Sequence, residues 1–118
     1  MEPTVYTTPA TAVGSPVTLT GLGKLSTGTY LEFEFSNSTR FRSTDLVFPT
    51  AGTIKIEGSH DGKYWSLALT SSGDGKVTFN SNVGDYERVS IDGCVEQLTF
   101  TPSGLTSATH YRVIVISV

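Results

Sequence analysis

The chain has 118 residues, with 8 Lys and Arg against 11 Asp and Glu, a formal charge of -3 and 37% hydrophobic content. That is the size of one domain with one core, and its scattered basic residues give no phosphate-neutralising stripe, so nucleic acid is not expected as a partner. No apolar run reaches the ~18 residues of a membrane span, and Cys94 as the only cysteine excludes an internal disulfide or a multi-cysteine zinc site.

The charged fraction of 16% lies below the ~25% usual for soluble domains, and Ser and Thr fill 32 positions, so the surface is mostly neutral and polar. The first residues, Met1 to Gly14, lack the basic and apolar regions of a signal peptide, which leads to an expectation of synthesis in a cytoplasm.

Val, Ile and Thr supply 34 residues, types that favour extended structure. No 11-residue window carries the i, i+3, i+4, i+7 apolar pattern of a helix, whereas period-two segments recur between Gly, Asn, Asp, Ser and Pro. The expected fold class is all-β, an antiparallel β-sandwich or barrel-like sandwich. In chain order, Met1 to Pro16 (1–16) carries Pro3, Pro9 and Pro16 and reads as an extended arm. A single domain, 17–118, follows. Its predicted strands are Val17 to Gly21, Tyr30 to Phe35, Ser43 to Phe48, Thr53 to Ser59, Tyr64 to Leu69, Lys76 to Asn80, Tyr86 to Ile91, Glu96 to Thr101 and Tyr111 to Ser117.

The stretch GTIKIEGSHDGKYWSLAL, Gly52 to Leu69, predicts a hairpin. Asp61 and Gly62 suit a two-residue turn, which needs positive φ at both central positions. That turn sets Gly58 opposite Trp65, Ile56 opposite Leu67 and Ile54 opposite Leu69, giving one continuously apolar face. Gly58 then leaves room for the Trp65 indole as a core residue. The Asp92-Gly93 pair fails the same register test and predicts a longer loop or a change of sheet.

Candidate chemistry is sparse. Glu32 and Glu34 share one strand face and could in principle form an acid and base pair, but a solvated outer face is the favoured reading, since such carboxylates flank a cleft from different elements. His60 and His110 have no metal-ligand spacing. Cys94 with His110 as its base is the one nucleophile arrangement left open, and a lone Cys is otherwise a small buried hydrophobe. Asp61, Asp74, Asp85 and Asp92 read as turn residues rather than calcium ligands. Gly21 and Gly23 are followed by neither the Lys-Ser pair nor the helix of a phosphate loop. No catalytic constellation, metal or cofactor is expected, and the chain is read as a non-enzyme.

The last segment, YRVIVISV, is mostly apolar on both faces: Tyr111, Val113 and Val115 on one, Arg112, Ile114, Ile116 and Val118 on the other. A two-layer sandwich buries only one face of each strand, so the second face requires a cover, such as the arm, a loop or a neighbouring subunit.

PVTLTGLGKL at Pro16 to Leu25, the hairpin above and LTFTPSGLTSATHYRVIVISV at Leu98 to Val118 occur in an order that resembles the small β-sandwich accessory proteins, head-decoration or tail-associated, of tailed-bacteriophage virions. The hairpin residues Ser59, Asp61, Gly62 and Trp65 are also similar to turns of discoidin-like and Asp-box carbohydrate-binding modules, although Gly62 directly after Asp61 departs from the Asp-box pattern.

The first resemblance implies a capsid decoration or cement protein that binds the major capsid protein or another virion protein and stabilises the head shell. It further implies a homo-oligomer, with a trimer favoured by analogy, localised to the virion. A chain opening on Met1 with no second domain fits a stand-alone subunit. The alternative is a carbohydrate-binding or host-adhesion module displayed on the particle, with a glycan as partner. The expected assembly contacts are Val5, Tyr6 and Val13 on the arm with Ile114, Ile116 and Val118 on the terminal strand.

Overall fold

A computed structural model of the chain describes residues 4–22, 25, 29–67, 69–70, 75–79, 86–90 and 96–117. Their regular structure is all β: β1 Thr4–Thr7, β2 Thr11–Ala12, β3 Val17–Leu19, β4 Thr29–Ser36, β5 Leu46–Val47, β6 Thr53–Ser59, β7 Ser66–Leu67, β8 Leu69–Thr70, β9 Lys76–Thr78, β10 Tyr86–Ser90, β11 Gln97–Ser103 and β12 His110–Ser117. They form two antiparallel sheets. The first runs β1-β12-β4-β10-β8, with β2 also on β12 and β5 also on β4; the second runs β3-β11-β6-β7, with β9 also on β6. Both sheets have open ends, so the fold is a sandwich rather than a closed barrel.

Alternation along the long strands creates the core. Leu31, Phe33 and Phe35 of β4 and Tyr111, Val113 and Val115 of β12 point inward from the first sheet, meeting Ile54 and Ile56 of β6 and Leu98 and Phe100 of β11 from the second; all are buried. Register fixes the match, because β12 pairs with β4 from His110↔Ser36 to Ile116↔Tyr30, so inward residues oppose inward residues across the whole ladder. Phe79, which follows β9, plugs the space between the layers. Its ring lies edge-on to Phe33, Phe35 and Phe48 at centroid distances of 5.5, 5.1 and 6.0 Å.

The hairpin differs from its sequence expectation. Glu57 pairs with Leu67 and Gly58 with Ser66, a shift of one residue from the register that places Gly58 opposite Trp65. Among the described residues of this loop only Gly62 has positive φ, +78°, so Asp61 and Gly62 do not form the expected two-residue turn. The cause is side-chain competition for the backbone. Ser59 Oγ accepts the Gly62 N–H at 2.9 Å, while Asp61 Oδ1 accepts those of Lys63 and Tyr64 at 2.8 and 3.1 Å. The loop is thereby longer, and Trp65 is half-buried rather than a core residue.

The expected strand Tyr64 to Leu69 also divides: β7 belongs to the second sheet, and β8 pairs with β10 of the first. Ile54 consequently faces Val77 of β9, not Leu69. The expected strand Ser43 to Phe48 shrinks to Leu46–Val47, because the Asp45 N–H turns back to the Arg42 carbonyl at 2.8 Å and its carboxylate holds the Arg42 Nε at 2.9 Å. The Asp92-Gly93 turn, Cys94, Asp74, Asp85, Gly23 and Val118 lie outside the described residues.

Candidate interaction surface

The arm is not detached from the domain. β1 adds to the edge of β12 in register from Thr4↔Ser117 to Thr7↔Ile114, and β2 resumes on the same edge with Thr11↔Tyr111 and Ala12↔His110. The two registers differ by one residue, which is a bulge centred on Pro9, a residue with no N–H to give a ladder. Thr8 repairs the gap. Its N–H donates to the Val113 carbonyl at 3.0 Å, and its hydroxyl takes the place of a backbone acceptor for the Val113 N–H at 2.9 Å; the side chain is buried. In the sequence the only signal for this role of Thr8 is its place directly before a strand-breaking Pro.

This pairing divides the expected assembly contacts into two groups. Tyr6 lies opposite Val115, on the inward face, and with Val13 packs against the chain's own core. Both are partly buried there. Val5 lies opposite Ile116 on the outer face and is 55% exposed. Ile116 in turn faces Tyr30, and Ile114 faces Thr7 on one side and Glu32 on the other. The arm therefore borders the second apolar face of β12 edge-on instead of lying over it, and Ile114 and Ile116 remain half-buried.

Farther along that face Arg112 ion-pairs with Glu34, and its guanidinium lies 4.6 Å from the Phe41 ring centroid. Glu32 is exposed and Glu34 is tied to Arg112, so the two carboxylates differ in setting but lie on an open sheet face. A cavity of about 200 Å³ opens between β4 and β5, lined by Phe33, Glu34, Phe35, Leu46, Val47 and Phe48. Ligand pockets commonly span about 300 to 1,000 Å³, and this one is smaller.

The second outward feature is the loop after β6. Asp61 Oδ1, with two backbone N–H donors and the Ser59 hydroxyl at 3.1 Å, holds its carboxyl below the ordinary Asp value; the Lys63 and then the Tyr64 N–H are the main causes. This ordered loop presents Tyr64, 78% exposed, and His60 to solvent. From its sequence context Tyr64 is expected only to begin a strand. Among the described residues no group of three or more His, Cys, Asp or Glu side chains converges. No helix is long and apolar enough to cross a membrane.

Fold and surface together define a two-layer antiparallel β-sandwich whose described outward features are a half-open apolar sheet face and an ordered aromatic loop. No family model matches the sequence, and no curated protein sequence matches it. Among solved structures, the SPBc2 prophage-derived protein YomS is similar in fold, with a TM-score of 0.51 at 17% identity over 99% of this chain and 96% of that one.

Proposed function

We propose that the chain is a structural subunit of a bacteriophage virion, and within that class a head-decoration protein that binds the shell. The observation that carries the reading is the end-to-end likeness to a prophage-derived protein, 99% and 96% of the two chains. The surface supports it physically. A sparsely charged chain that leaves Val5, Ile114 and Ile116 together on an outer sheet face has an apolar strip suited to packing against protein. The role needs no cofactor and no catalytic group.

A second reading, display of a glycan-binding loop on the particle, is favoured by one observation, the exposure of Tyr64 on a loop ordered by Ser59 and Asp61. Co-sedimentation with DNA-filled particles separates the two. Saturable binding weakened by Ile114→Glu supports the structural subunit. Retention on a glycan array that is lost in Tyr64→Ala, with no particle binding, supports the adhesin.

A further inference from the structure

Among the described residues β1 is the end strand of its sheet, and its sequence has an unusual symmetry. In an antiparallel ladder alternate residues direct both N–H and C=O to the partner. The Thr8 N–H donates to Val113, in the same register as β1, so Thr4, Tyr6 and Thr8 face β12 while Val5 and Thr7 direct their main-chain groups away from it. Exposed edges of this kind are usually blunted by charge. Here no charged residue occurs between Glu2 and Lys24.

The sequence around the edge, PTVYTTP, is nearly palindromic about Tyr6. An antiparallel copy centred there sets Tyr6 against Tyr6, Val5 against Thr7 and Thr4 against Thr8. The outward N–H and C=O groups of Val5 and Thr7 then meet the C=O and N–H of Thr7 and Val5 in the second copy, which satisfies all of them. Pro3 and Pro9, three residues either side of Tyr6 in the sequence, have no N–H to extend a ladder. The absence of charge removes like-charge repulsion between identical edges. The outer apolar row also becomes continuous, from Ile116 and Val5 of one copy to Thr7 and Ile114 of the other.

We infer that two copies of the chain associate through β1, edge to edge about a two-fold axis at Tyr6, joining their first sheets into one. This goes beyond the virion reading and does not depend on it. A three-fold assembly would have to use a different surface.

The test is a cross-link that reads the register, made in the full chain with Cys94→Ser. Val5 and the second copy's Thr7 would be a hydrogen-bonded antiparallel pair, with α-carbons about 5.5 Å apart, within disulfide reach. Mixing the Val5→Cys and Thr7→Cys variants under mild oxidation should give a covalent heterodimer, while either variant alone should stay largely uncross-linked. Sedimentation of the unmodified chain at ~100 µM should show dimer. Thr7→Pro, which removes an outward N–H without touching the β12 ladder, should shift it to monomer with its circular dichroism unchanged. Val5→Lys provides the same test should the proline variant fold poorly. A monomeric unmodified chain, a dimer that survives both substitutions, or equal cross-linking in the single variants would overturn the inference.

Discussion

The Tyr111 hydroxyl donates to the Ser15 carbonyl at 2.8 Å, joining residues 96 positions apart and tying the arm to the centre of the core. Tyr111 is fully buried, and the Phe100 carbonyl at 3.4 Å offers its single proton a weaker second acceptor. Tyr111→Phe should therefore cost about 1 kcal/mol, plus some of the desolvation penalty of the abandoned carbonyls. Amide exchange should accelerate in β2 and the turn after it while β4 and β11 stay protected. Uniform loss of protection would contradict a local anchor.

The same burial pushes the Tyr111 phenol up to about 12. Its protonated form is the one the fold retains, so between pH about 10 and 12 the unfolded chain loses a proton that the native state keeps, and stability falls as pH rises. Denaturant titrations should show a decline on the order of 2 kcal/mol across that window, diminished in Tyr111→Phe.

Phe79 and Trp65 should behave oppositely to what residue size suggests. Phe79 is buried against three aromatic rings, and Phe79→Ala should cost about 3 to 5 kcal/mol. Trp65 is half-buried beside a loop, and Trp65→Ala should cost clearly less. Chemical denaturation of the two variants provides the comparison.

Gly52 and Gly62 both have positive φ, at +115° and +78°, but a Cβ meets different neighbours. At Gly62 it comes within 2.9 Å of the Gln97 Nε2, the mobile end of a side chain; at Gly52 it comes within 2.6 to 2.7 Å of the Leu105 N and the Gly104 carbonyl group, which are backbone. Gly62→Ala should cost about 1 to 2 kcal/mol from conformation alone, and Gly52→Ala should exceed it. Equal melting temperatures would rule out the backbone contact.

Asp61 holds the Lys63 and Tyr64 N–H groups more strongly when ionised. Because its folded value is depressed, the stabilisation is complete above the ordinary Asp value, about 3.9, and is lost as pH falls through the folded value. The Lys63 and Tyr64 amide resonances should shift together over that acid range and show no such titration in Asp61→Asn.

The long strands were legible because their alternation is complete. β6 has the predicted limits, and the core residues of β4 and β12 follow from period two. The short strands were not, because β7 and β8 are one apolar run divided between two sheets, a decision made by tertiary pairing that periodicity does not encode. The hairpin register was lost to two side chains, Ser59 and Asp61, whose bonds to the backbone lengthen the loop. The apolar second face of β12 was visible in sequence. The position of the arm was not, since Thr8 joins it to β12 through a side-chain acceptor at the point where Pro9 interrupts the ladder.

The most direct measurement is the copy number of this chain in purified, DNA-filled particles, by quantitative mass spectrometry against the major capsid protein. A structural subunit of the head should be present at a fixed stoichiometric ratio that persists through successive density gradients. Absence from the particles, or a ratio that falls with each gradient, would contradict the account.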